Sequence, residues 1–329
     1  MTTTTPTTPA SPAPDLTSRP EVGSAAPGHA GPSTARGVAL LLGSASSTNV
    51  GAALGAQAFS AIGPAGVVAV RQVVAAAVLL PVARPRLRSL TRAQVVPTLG
   101  LGLVFAVMNL GLYTAIDRVG LGLAVTLEFL GPLGVALLGS RGRRELALAV
   151  LAGIGVYVLV LPGPSSDLVG IGAGLVAAAC WAAYILLNRT LGQRLPGLQA
   201  PALASAAAAL AYTPVLVWLA LDGRLWGTPL LLALGTGLLS SVVPYAVDLT
   251  VLRTVPPRLF GVLMSAQPGI AAFAGLVLLG QALALHEVVG IVVVAGTNAL
   301  AVATARPGPR PPATTRPATA AAATPDHAP

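Results

Sequence analysis

Ten stretches of about 20 residues run through the chain almost without charged side chains, and no other feature limits the fold as strongly. About 20 apolar residues are enough to cross the hydrocarbon core of a bilayer as an α-helix. The stretches lie near residues 37–59, 64–83, 95–116, 119–138, 145–161, 169–187, 199–221, 228–251, 257–280 and 285–303. This pattern predicts an all-α integral membrane protein with ten transmembrane helices.

The composition favours the same fold class. Only 9% of the residues are charged and 54% are hydrophobic, whereas about 25% of the residues of a soluble domain are charged. A soluble helical protein needs polar outer faces on its helices, and these stretches have none. The Thr-, Pro- and Ala-rich ends, residues 1–35 and 304–329, cannot bury enough apolar area to fold and are predicted to be disordered tails.

The basic residues predict the orientation. All 19 are arginines, and with the N-terminus inside, sixteen lie in the inner tails and loops, whereas the outer loops hold only Arg118 and Arg224. Inner loops of membrane proteins carry an excess of positive charge, so both termini are expected inside. The net charge of +9 therefore reports topology. It does not indicate nucleic-acid binding, because no arginine-rich face has interleaved exposed aromatic residues.

Cysteine and histidine are too rare for several kinds of chemistry. The single cysteine, Cys180, can form no intramolecular disulfide, and two of the three histidines lie in the tails. These residues cannot build a zinc-protease motif or a metal cluster. No nucleophile–base pair is visible either. We therefore predict that the protein has no cofactor and is not an enzyme.

The ten stretches divide into two units of five, residues 37–161 and 169–303, and comparison of the chain with itself aligns Pro132 with Pro268. Units with an odd number of helices insert in opposite orientations, as in inverted-repeat transporters. In such transporters, Gly- or Pro-interrupted helices mark a substrate site near the midplane. Gly131-Pro132 and Gln267-Pro268 form such a pair and are predicted to kink or gate the helices. The alternative is that they are packing kinks only.

Polar side chains recur at helical spacing in several stretches. They are Asn109 and Tyr113 in the third stretch, Trp181 and Tyr184 in the sixth, and Ser241, Tyr245 and Asp248 beside Pro244 in the eighth.

Three charged residues, Arg71, Glu128 and Asp248, also lie within stretches, at least three residues from either end. A charge at the bilayer centre costs about 2.5–3.5 kcal/mol on insertion scales, so the three are expected to face a shared cavity. There Glu128 could hold an ammonium group and Arg71 a carboxylate, which would suit a zwitterion. The alternative is an Arg71–Glu128 ion pair that only holds the second and fourth helices together.

Three segments resemble a known family: AVTLEFLGPLGVAL (residues 124–137), AACWAAYILLNRTLG (178–192) and VVPYAVDLTVLRTVPPRLFGVLMSAQPGIAAFAGLVLLGQ (242–281). They are similar to the EamA-type family of the drug/metabolite transporter superfamily, most closely to its threonine/homoserine exporter branch. The likeness covers about residues 37–303. It implies ten helices in two inverted repeats, alternating access, and proton-linked export of small metabolites such as amino acids.

The resemblance also assigns positions. It implies that Arg71, Glu128 and Tyr245 are site residues, with Asp248 in place of the usual glutamate. Gln267 and Gln281 stand where the family has glutamate. The loss of these two acids weakens the expectation of standard proton coupling and leaves uncoupled transport open.

The sequence therefore predicts a multi-pass protein of the cytoplasmic membrane that exports a small metabolite, such as the neutral amino acids threonine or homoserine. The alternatives are an exporter of drugs or other metabolites and a non-transporting scaffold or sensor. The expected partners are the substrate, the lipid bilayer and protons, and the oligomeric state is not predicted. The substrate-binding or coupling residues are predicted to be Arg71, Asn109, Tyr113, Glu128, Trp181, Tyr184, Tyr245, Asp248 and Gln267, with Gly131, Pro132, Pro244 and Pro268 as kink or gate residues.

Overall fold

A computed structural model describes residues 32–85, 90–138, 142–161, 167–191, 194–195, 197–251 and 255–304. Every element of regular secondary structure within these ranges is helical. The tails predicted to be disordered lie outside the described residues except for their inner ends. The side chain of Asp248 also lies outside them, although its backbone belongs to a described helix.

The helices follow the predicted stretches. The first unit contains α1 (Pro32–Gln57), α2 (Phe59–Ala83), α3 (Arg92–Val119), α4 (Leu121–Glu128), α5 (Leu130–Leu138) and α6 (Arg143–Val160). The second contains α7 (Leu168–Leu191), α8 (Gln199–Ala211), α9 (Thr213–Leu221), α10 (Gly227–Gly237), a π-helical turn (Leu238–Val242), α11 (Val243–Val251), α12 (Pro257–Met264), α13 (Gln267–Leu279) and α14 (Leu285–Thr304).

The two units are interleaved. Helix α3 packs against α7 and α8, α1 and α4 pack against α13, and α6 packs against α14. The main hydrophobic core therefore takes side chains from both units. A cavity at this shared core is lined from both units at once.

Seven helical segments of the described chain are long and apolar enough to cross a membrane, or eight if α8 and α9, bent by 48°, form one span. The remaining two predicted stretches are also helical. However, the apolar segment Leu121–Leu137 is short, and α6 begins with Arg143, Arg144 and Glu145. The prediction of an all-α integral membrane protein is confirmed, whereas ten crossings, inverted repeats and the orientation stay predictions.

Large apolar side chains point outward from many helices. Leu103 on α3, Leu146 on α6 and Phe273 on α13 are each about two-thirds exposed, at 66%, 67% and 67%. Exposure of this much apolar surface to water is energetically unfavourable, whereas contact with lipid tails is not. These side chains therefore form the lipid-facing surface.

In the fourth and ninth stretches the regular α-helical hydrogen bonding is interrupted near the middle, while the backbone keeps helical dihedral angles. The break between α4 and α5 lies at Phe129, and that between α12 and α13 lies at Ser265 and Ala266. Proline has no N–H to donate to the carbonyl four residues earlier. Pro132 therefore leaves the carbonyl of Glu128 without its α-helical donor, and Pro268 does the same for Met264. In each stretch the interruption lies at the residue directly after that carbonyl.

Gly51 and Gly55 on α1 pack against α10 and the π-helical turn of the same chain. A Cβ atom on Gly51 would lie 2.8 Å from the Cβ of Leu239, and one on Gly55 would lie 2.9 Å from Oγ1 of Thr236. The Thr236 hydroxyl donates a hydrogen bond to the Gly51 carbonyl at 2.9 Å. Small residues at this spacing allow two helices to approach closely, and here they join the two units.

Asp167 fastens the connection between the units, just before α7 and outside the membrane-spanning helices. Its carboxylate accepts a hydrogen bond from the Gly170 N–H at 2.8 Å and forms an ion pair with Arg118 at 3.0 Å. The Gly170 N–H, followed by Arg118, holds the pKa of Asp167 below its ordinary value. The carboxylate therefore caps α7 and ties it to the last turn of α3.

Gln281 ties the start of α4 to the connection between α13 and α14. Its side-chain oxygen accepts a hydrogen bond from the Leu121 N–H at 2.9 Å, directly after Gly120, which has a φ of 84°. The first N–H groups of a helix have no partner within that helix. The Gln281 side chain therefore acts as a cap supplied by the other unit.

We expect Gln281→Met to lower the stability of the detergent-solubilised protein by about 1 kcal/mol, the net value of one hydrogen bond. On the scale of domains of 150–250 residues this is about 2–4 °C in melting temperature. Gln281→Glu is the control, because a carboxylate oxygen can accept the same N–H and suits a helix N-terminus. An unchanged melting temperature for Gln281→Met would contradict the capping role.

Candidate functional site

A cavity of about 170 Å³ lies between the two units. It is lined from α1, α2, α3 and α4 on one side and from α7, the π-helical turn, α11 and α13 on the other. Most of the predicted binding residues meet here: Arg71, Asn109, Tyr113, Glu128, Trp181, Tyr184, Tyr245 and Gln267, together with Pro244.

The remaining predicted residues do not line the cavity or are not described. Gly131, Pro132 and Pro268 lie beside it, at the start of α5 and α13, and are not among its lining residues. The side chain of Asp248 falls outside the described residues. The predicted site thus divides into residues that face the cavity and residues that shape the helices around it.

Sequence reasoning missed some lining residues. Phe105 lines the cavity and precedes Asn109 by four residues, so the same helical spacing would have identified it. Ser240 lines the cavity where the spacing predicted Ser241. The π-helical turn holds an extra residue per turn, so Ser240 and Tyr245 share a face although five positions separate them.

Glu128 is buried, with 7% of its surface exposed, and lies at the last position of α4. Its carboxylate accepts no hydrogen bond from any described residue. Its side chain lines the cavity, where it is available to a ligand.

Arg71 lies on α2, across the cavity, and both of its hydrogen bonds go to residues of the second unit. Its Nε donates to the Ser241 hydroxyl at 2.9 Å, and its Nη2 donates to the Ser240 carbonyl at 2.9 Å. The guanidinium carbon lies 5.4 Å from the centre of the Tyr113 ring, a cation–π distance. These contacts fix the plane of the guanidinium group.

Arg71 and Glu128 do not form an ion pair with each other. Within the described part of the chain, the ion pairs closer than 4.0 Å are Arg118–Asp167 and Arg224–Asp222. The alternative in which an Arg71–Glu128 ion pair only holds two helices together therefore has no support among the described ion pairs. Both charges face the same cavity and remain free to bind opposite ends of a ligand.

Gln267 is held by a neutral contact. The Asn49 side-chain amide donates to its oxygen at 3.0 Å and to the Ala45 carbonyl at 2.9 Å. Asn49 and Gln267 are both buried. A buried polar group needs a partner, and an uncharged amide pair meets that need at the break between α12 and α13.

Aromatic side chains form the other walls. Phe129 meets Trp181 edge to face, with ring centres 4.7 Å apart, and Phe105 lies 5.6 Å from Tyr184. Tyr113 is fully buried, and no described residue hydrogen-bonds its hydroxyl. The cavity is therefore apolar on most of its surface, with a few polar groups that fix orientation.

Comparison with known proteins agrees with this architecture. The sequence profile of the EamA-like transporter family matches residues 168–302. The threonine/homoserine exporter RhtA of Salmonella typhimurium strain LT2 is 36% identical over 250 residues, which cover 75% of this chain and 84% of the relative. The chain belongs to the EamA-like transporter family.

A second relative and a solved structure extend the comparison. The threonine/homoserine exporter RhtA of Escherichia coli strain K12 is 34% identical over 249 residues, covering 75% of this chain and 84% of the relative. A crystal structure described only as that of a protein has a TM-score of 0.53 and 20% identity, covering 82% of this chain and 96% of its own. That likeness shows a shared fold. As an EamA-like transporter, the chain is a multi-pass protein of the cell membrane with a small-molecule substrate.

Proposed function

We propose that this EamA-like transporter exports a neutral amino acid such as threonine or homoserine by alternating access. The observation that carries the proposal is the placement of Arg71 and Glu128. Both line one cavity, yet they form no ion pair with each other. A zwitterion brings one charge of each sign, so its carboxylate fits Arg71 and its ammonium group fits Glu128.

The size of the cavity favours a small substrate over a drug. Its volume is about 170 Å³, whereas pockets for drug-sized ligands are about 300–1,000 Å³. The curated relatives are named as threonine/homoserine exporters, and both of those compounds are small zwitterions. The drug-export alternative therefore has less support.

The proposal includes ten crossings in two inverted repeats, residues 37–161 and 169–303, with both termini inside. Its support is that the corresponding stretches are interrupted in the same way, after Glu128 and after Met264, each four residues before a proline. In inverted-repeat transporters, Gly- or Pro-interrupted helices at corresponding positions of the two halves point to a site near the midplane. Alternating access would then tilt one unit against the other around the cavity.

The proposal also includes proton coupling through Glu128. A carboxylate can hold either a proton or the ammonium group of the substrate, so the two compete for one site. Gln267 is an amide and cannot take that role. Glu128 is thus the acid of the described cavity lining, and coupling is expected to depend on it.

The test is uptake of labelled threonine and homoserine by inside-out membrane vesicles, with and without an acidic lumen. We expect saturable uptake above that of vesicles without the protein, and faster uptake with the gradient. Uptake without any effect of the gradient would contradict proton coupling but would leave the proposed export intact. Uptake of ethidium but not of threonine would favour drug export, and no uptake of either by well-expressed protein would favour a scaffold.

A further inference from the structure

The π-helical turn Leu238–Val242, in the second unit, hydrogen-bonds Arg71 of the first unit. Arg71 is the one arginine among the lining residues of the described cavity. We propose that this turn, set by Pro244, positions the guanidinium of Arg71 for the carboxylate of the substrate. Ser240 and Ser241 are the positioning residues. This inference rests on the proposed function, because it assigns a substrate carboxylate to Arg71.

Pro244 removes backbone hydrogen bonds from its own helix. Without an N–H, Pro244 cannot donate the α-helical bond to the Ser240 carbonyl or the π-helical bond to the Leu239 carbonyl. Both carbonyls have side-chain donors instead. Arg71 Nη2 donates to Ser240 at 2.9 Å, and the Ser47 hydroxyl donates to Leu239 at 2.8 Å.

The hydroxyls of Ser240 and Ser241 connect the turn to α1 and to Arg71. The Ser240 hydroxyl donates to the Thr48 carbonyl at 2.7 Å, which anchors the turn to α1. The Ser241 hydroxyl accepts from Arg71 Nε at 2.9 Å. The turn is therefore fixed to α1 by one serine and grips Arg71 by the next, so the position of α1 determines where the guanidinium lies.

These contacts leave N–H groups of the Arg71 guanidinium available for a ligand. A guanidinium group has five N–H donors in a rigid plane. One donor on Nε and one on Nη2 are used, and the Tyr113 ring lies against the guanidinium at 5.4 Å. Nη1 contacts no hydrogen-bond acceptor among the described residues. A carboxylate can thus bind the remaining N–H groups with both oxygens, provided that the plane stays in place.

The experiment uses purified full-length protein in liposomes and measures KM and kcat for labelled threonine, with threoninol as a competing probe. Threoninol keeps the ammonium and hydroxyl groups but has no carboxylate. For Ser241→Ala we expect KM for threonine to rise about 10-fold, in the range of a lost hydrogen bond to a charged group. We expect kcat and the inhibition constant of threoninol to stay within about twofold, because neither depends on the carboxylate contact.

Two variants serve as controls. Ser241→Thr keeps the hydroxyl and is expected to restore the wild-type KM. Ser47→Ala removes one of the hydrogen bonds that hold the same turn to α1, at the Leu239 carbonyl, without a contact to Arg71, and is expected to raise KM clearly less than Ser241→Ala does. Equal rises in KM for Ser47→Ala and Ser241→Ala would overturn the inference, because the turn would then act only as packing.

Other outcomes separate the inference from the proposed function. An unchanged KM in Ser241→Ala, with active wild-type protein, would overturn the positioning role and leave the proposed function intact. Equal weakening of threonine transport and threoninol inhibition would do the same, because the carboxylate would not be involved. Wild-type protein that carries neither threonine nor homoserine would overturn the proposed function, and this inference with it.

Discussion

Glu128→Gln is expected to lower threonine transport by at least about 30-fold. Loss of one partner from a buried charged contact costs about 2–5 kcal/mol, and each 1.4 kcal/mol is a factor of ten. The amide has almost the same shape as the carboxylate but cannot attract the ammonium group. Because no described residue hydrogen-bonds the carboxylate, the variant is expected to fold and to keep its melting temperature. The measurement is initial uptake into vesicles at matched protein amounts.

Asp222→Asn is the matched control for Glu128→Gln. Asp222 carries the same functional group, but its side chain is 44% exposed, it pairs with Arg224 and it does not line the cavity. We expect its transport to equal that of the wild type. Wild-type KM and kcat in Glu128→Gln would contradict the assignment of the ammonium site, and equal losses in both variants would point to a general effect of removing an acid.

Gly131→Ala is expected to destabilise the protein by about 1–3 kcal/mol, the usual cost of overpacking, and to reduce transport. A Cβ atom at this position would overlap the Ala178 carbonyl oxygen and would lie 3.2 Å from the Ala182 nitrogen. These are backbone atoms of α7, so no side chain can rotate out of the way. Helix α5 would have to move away from α7, which carries Trp181 at the cavity wall.

Gly134→Ala is the matched control, because it lies one turn further along α5 and a Cβ atom there meets nothing within 4 Å. Alanine is also a better helix former than glycine, by about 0.5–1 kcal/mol. Melting temperatures of the two purified variants, with threonine uptake, provide the comparison. Similar melting temperatures for Gly131→Ala and Gly134→Ala would show that α5 does not need the close approach at Gly131.

Much of the cavity could be predicted because helical spacing is a local property. Asn109 and Tyr113 lie four residues apart, so they share a face of α3 whatever surrounds it. Trp181 and Tyr184 share a face of α7 for the same reason. A charged side chain within an apolar stretch is costly in lipid and is expected to face a polar interior. The sequence therefore predicts that Arg71 and Glu128 share a cavity.

In the eighth stretch, regular helical spacing does not describe the structure. The spacing of Ser241 and Tyr245 assumed a regular α-helix, but the chain forms a π-helical turn before Pro244. The extra residue turns Ser240 toward the cavity and Ser241 toward Arg71. Proline marks a perturbed helix in the sequence, but whether it produces a kink, a break or a π-helical turn depends on the neighbours that satisfy the freed carbonyls.

The sequence by itself determined the fold class and the residues that must avoid lipid, because hydropathy and helical period depend only on neighbouring residues. The tertiary structure alone decided which side chains meet. It separated Arg71 from Glu128, joined Arg71 to Ser240 and Ser241, and placed Gly51 against the π-helical turn. These contacts join residues far apart in the chain, and their geometry follows from how whole helices pack, which no local spacing records.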